Sequence, residues 1–379
     1  MMEDVDLGYL LAVTTACIWT PRPLTTWFEK LASARQMVAY ARGNFVGPPD
    51  GAEPLRADAL ERLRAIDDDA AKAALDGLRR SGCRTCLKGD PDYPARLLDL
   101  RDPPLVLYVK GELGLLGPRA VAIVGSRAAS SYGRAVASVM ASEFGAYGVA
   151  VVSGFARGID AAAHRGALDG ATATVAVPGS GLCALYPDYH RELADRIVQG
   201  GGAVLTEFPP DMAARPHHFP MRNRIVAALA DATVVVEAKQ RSGALITARL
   251  ADELGRAVFA IPGDIDRPTS VGTNALIKDG VGLITGAADL AALMHWEPKL
   301  GSVQAGLVRS ASHEQPHPLL AALHGQACEP DELALRMNSS AAEVAAQLTL
   351  LEIQGLVERK PGGAFAAVKM RQPSNASAR

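Results

Sequence analysis

The chain of 379 residues contains only five cysteines, too few for the disulfide framework of a small secreted domain. Cys83 and Cys86 form one C-x-x-C pair, but no second pair or nearby histidine completes a tetrahedral zinc set. No βαβ pattern surrounds the pair as it does in thioredoxin-like redox proteins. We therefore predict ordinary reduced thiols and no metal site.

The sequence also lacks long apolar runs and an excess of charge of either sign. No stretch approaches the roughly 20 apolar residues that span a bilayer. Glu3, Asp4 and Asp6 stand where a secretory signal would carry lysine or arginine, so we expect a cytoplasmic protein with no membrane partner. With a formal net charge of −2, the molecule as a whole has no electrostatic field that would attract nucleic acid or a membrane. A polyanion site would have to be built by local placement of cations.

Changes in hydrophobic periodicity divide the chain into domains. Residues 1–83 predict a small helical domain (SAM-like or helix-hairpin-helix-like), 84–300 a core, 301–316 a polar linker and 371–379 a disordered tail. Residues 317–370 contain three helix-sized segments and then a predicted hairpin around Pro361 to Gly363, which is typical of a winged helix. Its candidate recognition helix, residues 340–354, carries Glu343 and Glu352 but no lysine or arginine. Phosphate would be repelled there, which favours contact with protein.

Short apolar segments rich in valine, alanine and isoleucine recur between residues 119 and 293. They include "AVAIVG", "VAVVSG", "ATVAVPG", "GAVLTEFP", "ATVVVEA" and "AVFAIPG", and helical stretches separate them. Such segments are typical of parallel strands that are buried on both faces. The alternation predicts an α/β fold with a Rossmann-like, doubly wound, mostly parallel sheet.

Glycines and cations follow these predicted strands. In an open α/β sheet the ligand lies outside the carboxyl ends of the strands, and glycine lets backbone N–H groups approach an anion there. The predicted site residues of this kind are Gly125, Ser126, Arg127, Ser153, Gly154, Arg157, Lys239, Arg241, Ser242 and Gly243. Together they predict a surface for an extended chain of phosphates. Taken singly, each glycine is explained equally well by a tight turn between strand and helix.

Two common phosphate-binding motifs are missing from this core. The loop "GSRAASSYG" is not G-x-G-x-x-G, and Ser153-Gly154 stands where an acidic residue would hold a ribose. The sequence G-x-x-x-x-G-K-[ST] is absent as well. We therefore predict no nicotinamide, flavin or other cofactor, and no ATPase activity.

Six motifs of the core fall in the order found in one protein family. They are "VAIVGSRAASSYGR", "VVSGFARGIDAAAHRGAL", "TVAVPGSGLCALYP", "FPMRNRIVAALADATVVVEA", "SGALITARLADELGR" and "FAIPGDIDRPTSVGTNALIKDG". The chain thereby resembles the DNA processing protein A family (DprA, also called Smf), and the resemblance extends back into "DPDYPARLLDLRDPPLVLYVKG". It implies a non-enzymatic single-stranded DNA-binding protein that protects incoming DNA in natural transformation and loads the recombinase RecA onto it. It also implies a homodimer, for which "LITARLADELG" and "TNALIKDG" are candidate surfaces.

The segment "FPMRNRIVAALADATVVVEAKQRSGALITA" is unusually cationic. Arg222, Asn223 and Arg224 open a predicted helix, and Lys239 and Arg241 follow the next strand. A flexible single strand clamped by its phosphates between these groups would fit the pattern.

Single-strand binding also requires an aromatic face for unstacked bases, and Phe219 is the candidate. An alternative stays open, in which Phe219 is buried and the arginines pair with Glu207 or Glu237. Arg224 is the residue for which that structural role is favoured.

Two histidine-containing patterns also suit metal or acid–base sites. Asp160 and His164 are four residues apart on one predicted helix, but no third ligand is near, which favours a capping role for Asp160 with His164 bonded to it or to a loop. His217 and His218 are adjacent and would point apart in an extended segment, so we expect them to line the DNA groove.

The enzymatic alternative is a nucleotide phosphoribohydrolase-like protein of the lysine decarboxylase-like group, acting on a nucleotide monophosphate. That group is expected to carry P-G-G-x-G-T-x-x-E, with a catalytic glutamate. The comparable loop here is "AKQRSGALITA", which lacks the glycine run and the final acid, and Glu237 precedes the loop. DNA binding is therefore favoured.

Overall fold

A computed structural model describes residues 3–31, 33–43, 47–299, 318–323, 328–337, 339–353, 357–360 and 364–367. The chain divides into two compact units, residues 1–300 and 301–379. The predicted boundary at residue 83 falls inside the first unit and stays a prediction. The predicted linker (301–316), the tail (371–379) and the hairpin turn at Pro361 to Gly363 lie outside the described residues.

In the described part of the chain, five helices precede the sheet, because their leucines and alanines recur at helical spacing, and short polar residues cap two of them. Ser33 accepts a hydrogen bond from Gln36 N (3.1 Å), and Asp67 accepts one from Ala70 N (2.9 Å), each satisfying a free backbone N–H at a helix start. The helices pack around a common apolar core that includes Leu11 and Met37. They are α1 (Asp4–Ala16), α2 (Pro21–Leu31), α3 (Ala34–Arg42), α4 (Ala57–Arg64) and α5 (Asp68–Ser81).

A nine-stranded sheet forms the centre of the first unit, with strand order β1-β2-β6-β5-β4-β3-β7-β8-β9. The pairs β1–β2 and β2–β6 are antiparallel, and all other neighbours are parallel. The predicted Rossmann-like, doubly wound, mostly parallel sheet is therefore confirmed. The strands are β1 (Arg84–Leu87), β2 (Val106–Gly111), β3 (Ala120–Val124), β4 (Ala150–Ser153), β5 (Thr174–Ala176), β6 (Ala203–Thr206), β7 (Ala232–Val235), β8 (Ala257–Ala260) and β9 (Gly282–Leu283).

Helices cover both faces of this sheet, which explains why the central strands are apolar throughout. Val121 and Ile123 of β3 pack on one face with α6, α7 and α12, whereas Ala122 and Val124 pack on the other with α9 and α10. The helices of the core are α6 (Ser131–Glu143), α7 (Ile159–Asp169), α8 (Arg191–Gln199), α9 (His218–Leu229), α10 (Gly243–Glu253), α11 (Val271–Lys278) and α12 (Ala287–Leu293).

The order of the strands reverses between β3 and β7. The chain runs outward from β3 through β4 and β5 to β6, then returns through α9 to place β7 on the other side of β3. Because helices leave the two strands toward opposite faces, a crevice opens at their carboxyl ends. This crevice holds the candidate site.

The described residues of the second unit form three helices and an antiparallel strand pair, the arrangement predicted for a winged helix. Leu319, Leu333, Leu348 and Phe365 meet in its core. Ser340 and Glu343 form a reciprocal cap at the start of the third helix, since each side chain accepts a hydrogen bond from the other's backbone N–H. The elements are α13 (Pro318–Leu323), α14 (Pro330–Met337), α15 (Ala341–Ile353), β10 (Val357–Arg359) and β11 (Phe365–Ala367). Within the described residues, the chain has no helix with the length and apolar character of a membrane span.

Candidate functional site

A pocket of about 590 Å³ lies at the carboxyl ends of β3 and β7. Segments from five parts of the chain line it: the loop after β3, the loop after β4, the segment after β5, the first turns of α9, and the β7–α10 loop. The predicted site residues in its lining are Gly125, Ser126, Arg127, Gly154, Phe219, Arg222, Asn223, Lys239, Arg241, Ser242 and Gly243. Topology therefore brings together loops that are more than a hundred residues apart in sequence.

The loop after β3 is held tightly from two sides. Ser126 N donates a hydrogen bond to Glu237 O (2.7 Å), and a Cβ at Gly125 would lie 2.5 Å from the Ile159 side chain. Gly158 has φ 79°, and a Cβ there would lie 2.2 Å from Ser126 O. Glycine is thus required at both positions by close approach. The fixed backbone directs the next side chain, Arg127, outward into the crevice.

Aromatic and cationic groups meet at the mouth of the pocket. The Arg127 guanidinium carbon lies 4.3 Å from the centroid of the Phe219 ring, and the Tyr186 ring lies 5.8 Å from the same ring. Phe219 is half-buried and packs against Gly179, whereas Tyr186 is 48% exposed. The structure therefore places Phe219 at the pocket instead of in the core. Sequence reasoning missed Tyr186, although it lies in "GSGLCALYP" after β5.

Four predicted cations point to solvent without a carboxylate partner in the described part of the chain. Arg127, Lys239 and Arg241 line the pocket, and Arg157 lines a small cleft beside it together with Tyr186. All four are exposed. The ion pairs of the described core involve other residues. Their charges are consequently available to an external anion.

The amino terminus of α10 faces the same pocket. Ser242 caps the helix by accepting a hydrogen bond from Ala244 N (3.3 Å), and Gly243, its first residue, is exposed with open space where a Cβ would be. Unpaired N–H groups and the helix dipole give this end partial positive charge. Together with Lys239 and Arg241, it forms a local anion-binding surface.

Arg222 and Asn223 line the pocket but are committed to its framework. Arg222 is 3% exposed, and its Nη1 donates to the carbonyl oxygens of Gly154 and Val177. Burial lowers the pKa of Arg222 to about 10. Asn223 Nδ2 donates to Gly243 O (3.3 Å). These two side chains thus tie the ends of β4, β5 and α10 to α9, and they are positioning residues.

Arg224 and Ser153 lie away from the pocket, so predicting them as DNA contacts requires correction. Arg224 is 8% exposed and pairs with Glu207 (2.6 Å) and Asp102 (3.2 Å), which is the structural alternative named for it. Ser153 is fully buried in the sheet, where its hydroxyl is satisfied by donating a hydrogen bond to Ile123 O (2.6 Å). Both residues serve the fold.

Glu237, the other acid named as an arginine partner, caps a helix instead. Its carboxylate accepts hydrogen bonds from Ser130 N (2.9 Å) and from the Ser130 hydroxyl (2.5 Å), at the start of α6. The cations of the pocket therefore stay unneutralised by it.

Asp160 and His164 have separate structural partners. Asp160 is buried at the pocket wall and accepts a hydrogen bond from Ala156 N (3.2 Å), so it caps the turn before α7, and desolvation raises its pKa. His164 is fully buried with Nδ1 2.8 Å from Thr174 Oγ1, and burial lowers its pKa to about 3. Because the Thr174 hydroxyl donates to Val151 O, it accepts from His164 Nδ1–H. His164 is thus bonded to a strand instead of to Asp160.

His217 and His218 differ from one another, and the expectation that both line a DNA groove requires correction. His218 is fully buried, stacks on Phe208 with ring centroids 4.5 Å apart, and places Nδ1 3.1 Å from Gly179 O. His217 is exposed and packs edge-on against Trp19, in the turn between α1 and α2. Only His217 is accessible to a ligand.

Comparisons with known proteins agree with this architecture. The family model described as DNA recombination-mediator protein A matches residues 84–295, and a DprA winged helix domain model matches residues 308–363. The chain is 40% identical to protein Smf of Escherichia coli over 276 residues (72% of this chain, 74% of that protein). It is 38% identical to a putative DNA processing protein DprA of Mycobacterium tuberculosis over 349 residues (86% and 89%).

Two solved structures share the fold with substantial identity. DNA processing protein A of Streptococcus pneumoniae superposes with a TM-score of 0.64 at 34% identity, covering 77% of this chain and 98% of that chain. The protein of Helicobacter pylori, described for its single-stranded DNA binding mode, superposes with a TM-score of 0.52 at 29% identity (57% and 99%).

Replacing Arg224 tests the division between structural and accessible cations. Arg224→Ala should lower the free energy of unfolding by about 3–5 kcal/mol, since it leaves the buried Glu207 carboxylate without its partner. Lys239→Ala, at an exposed position, should change it by less than about 0.5 kcal/mol. Urea unfolding followed by circular dichroism measures both. An Arg224→Ala protein of unchanged stability that fails to bind oligonucleotide would instead support a DNA contact at Arg224.

Proposed function

This chain belongs to the DNA recombination-mediator protein A (DprA/Smf) family, and from that premise we propose that it binds single-stranded DNA at the pocket between β3 and β7. The observation that carries the proposal is a set of exposed cations that form no ion pair among the described residues: Arg127, Lys239 and Arg241 at that pocket, and Arg157 at the cleft beside it. The described single-stranded DNA binding mode of the Helicobacter pylori relative supports the same ligand class.

Phosphate contacts supply most of the affinity in this proposal. With a formal net charge of −2, the molecule as a whole does not attract a polyanion, so the attraction must come from this cluster. Arg127, Lys239 and Arg241 and the amino terminus of α10 approach the pocket from different loops. Spaced positive groups fit successive phosphodiesters better than one small anion, and they favour binding with little dependence on sequence.

Bases stack on the aromatic side of the same pocket. Tyr186 offers an exposed ring, and Phe219 lies beside it with Arg127 over its face. A planar guanidinium stacks on bases as well as on rings, so Arg127 serves both base and phosphate. Every base has a π-face, and such stacking is therefore tolerant of sequence. A duplex, whose bases are already stacked and paired, gains nothing from these rings.

Binding without catalysis is the second element of the proposal. The carboxylates near the pocket have structural tasks: Glu237 caps α6, and Asp160 accepts a backbone hydrogen bond inside the pocket wall. The hydroxyl that Glu237 contacts, that of Ser130, is itself engaged in the cap of α6, since it accepts a hydrogen bond from Gly133 N (3.0 Å). This arrangement supports a DNA-binding protein over the phosphoribohydrolase-like alternative.

Loading of RecA onto the bound strand, with protection of incoming DNA during natural transformation, is the role we propose from family membership. Such work takes place in the cytoplasm. A binder that holds phosphates by separate exposed side chains can release them one at a time, which suits the transfer of a strand to a second protein.

We also propose a homodimer through the β9 edge of the sheet. Strand β9 pairs with β8 only, and its outer edge is unpaired among the described residues. Large apolar side chains are exposed on β9, at Leu283 (48%), and in the connection that leads from β8 to β9, at Ile265 (95%) and Val271 (43%). An exposed edge strand with apolar neighbours is otherwise an aggregation hazard, so a partner surface is expected to cover it.

The phosphate contacts predict a change in salt dependence. Arg127→Ala and Lys239→Ala should each weaken binding of labelled oligo-dT and reduce the slope of log affinity against log salt by about 0.7, the value for one phosphate contact on a single strand. Fluorescence anisotropy at several salt concentrations measures this slope. Arg249→Ala is the matched control, because Arg249 is exposed on α10 but pairs with Glu253 outside the pocket.

Unchanged slopes in both pocket variants would contradict the site. Failure of the unsubstituted protein to bind oligo-dT, together with release of free base from a nucleoside monophosphate, would favour the enzymatic alternative.

The dimer proposal predicts a change of mass in solution. Val271→Glu with Leu283→Glu should convert a species of twice the 39.7 kDa chain mass into a single chain, because buried carboxylates would face each other across the interface. Light scattering after size-exclusion chromatography measures the mass. Val139→Glu, at a 54% exposed position on α6, should leave the dimer intact. A monomeric unsubstituted protein would contradict the proposal.

RecA loading predicts a kinetic effect. The protein should shorten the lag before RecA hydrolyses ATP on DNA that is coated with single-strand-binding protein, and the Arg127→Ala/Lys239→Ala double variant should not. Both should leave RecA activity on naked strands unchanged. A lag equally long with and without the unsubstituted protein would contradict this role.

A further inference from the structure

A second large cavity, of about 810 Å³, lies where the amino-terminal helices meet the core. We call it the interdomain groove. Helices α1, α4 and α5 line one side, and residues 209–215 of the segment before α9 line the other. Its floor is apolar, with Leu11, Leu78, Pro210 and Met212 among the lining residues. The single-stranded DNA binding proposed above makes no use of this groove.

The charges around the interdomain groove are mainly positive. Arg62, Arg80 and Arg215 line it, against one acid, Asp211. Arg62 is engaged, since it donates to Ala16 O (2.9 Å) and to Asp58 (3.2 Å). Arg80 and Arg215 are exposed, and neither forms an ion pair within the described residues. Two free cations therefore stand beside an apolar floor.

One aromatic ring is accessible in this groove. Trp19 lines it and is half-buried, whereas Trp27 and Trp296, the other two tryptophans of the chain, are 3% and 8% exposed. The Trp19 ring lies 4.6 Å from the His217 ring and 4.9 Å from the His218 ring, measured between centroids. His217 is exposed, so an aromatic surface continues from Trp19 onto the start of α9.

The interdomain groove and the pocket between β3 and β7 share that same segment. Arg215 lines the groove, while Pro216 and Phe219 line the pocket. His217, which touches Trp19, lies between them in sequence. Arg215, His217 and Phe219 lie within five residues of one another, and His217 contacts Trp19, so a strand that leaves the pocket at Phe219 would meet these side chains next.

We propose that the interdomain groove is a second subsite for the same DNA strand. Bases beyond those held in the pocket rest against Trp19 and the apolar floor, and their phosphates contact Arg80 and Arg215. This inference rests on the proposed function and extends it, giving the amino-terminal helices a direct share in binding. The excess of positive charge favours a polyanion over an amphipathic protein helix, and the shared segment makes the path continuous.

The position of Trp19 supplies a direct test. We expect an oligo-dT of about 16 nucleotides to quench the intrinsic fluorescence of the full-length protein and one of about 4 nucleotides to bind without quenching, since stacking sites of this kind cover a few nucleotides each. Anisotropy of end-labelled strands confirms that both are bound at saturation. The Trp19→Phe variant should lose the quenching by the long strand, which assigns the signal to Trp19.

Arg80→Gln provides an independent readout, which does not depend on the tryptophan. It should reduce the slope of log affinity against log salt by about 0.7 for the long strand and leave the short strand unaffected. Arg79→Gln is the matched control on the same helix turn, because Arg79 pairs with Asp4 and Asp76 and does not line the groove.

Saturated binding of the long strand with no quenching, and with an unchanged slope for Arg80→Gln, would overturn the second subsite and leave the groove to a protein partner. Equal quenching by the short strand would also overturn it, since the first bases would then lie at Trp19. Absence of binding by either strand would instead contradict the proposed function itself.

Discussion

The site depends on one buried cation. Arg222 donates to the carbonyl oxygens of Gly154 and Val177, which follow two neighbouring parallel strands, and its neighbour Asn223 holds the first residue of α10. Burying a guanidinium costs free energy unless its N–H groups are hydrogen-bonded. Helix α9 therefore packs in the one position that supplies these acceptors. That position fixes Phe219 at the pocket mouth. These buried contacts fix the backbone of the pocket, so its exposed side chains are not needed to hold the loops in place.

Burial divides chemically similar residues into two functions. Arg222 and Arg224, two residues apart on α9, are both buried. Arg222 donates to backbone carbonyl oxygens, and Arg224 pairs with Glu207 and Asp102. Arg127 and Lys239 are exposed and unpaired in the described chain. The first group gives rigidity, and the second gives a positive surface potential, which salt screens. A chain of nearly balanced charge can in this way present a strongly positive crevice.

Much of this architecture was predictable from sequence, because parallel strands buried on both faces have a distinctive composition and glycine-ended loops must gather at one sheet edge. For that reason the sequence predicts Gly125, Arg127 and Lys239 at one site, and the structure places them in the lining of one pocket. A sequence pattern does not give the distance in space between two segments that are far apart along the chain. Glu207 as the partner of Arg224, and Thr174 as that of His164, become visible only after the strands are ordered. Tyr186 was missed because its loop places it at the pocket through tertiary contact alone.

The capping of α6 by Glu237 has a consequence for ligand choice. In dinucleotide-binding folds the amino terminus of the first crossover helix receives the pyrophosphate of the cofactor. Here a carboxylate from the end of β7 already occupies the equivalent place, bonded to Ser130. The protein carries its own tethered anion, at an effective concentration that a freely diffusing nucleotide cannot match. Because Glu237 fills this position, the amino terminus of α6 has no room for the pyrophosphate of a cofactor, whereas the amino terminus of α10 opens to the pocket at the exposed Gly243.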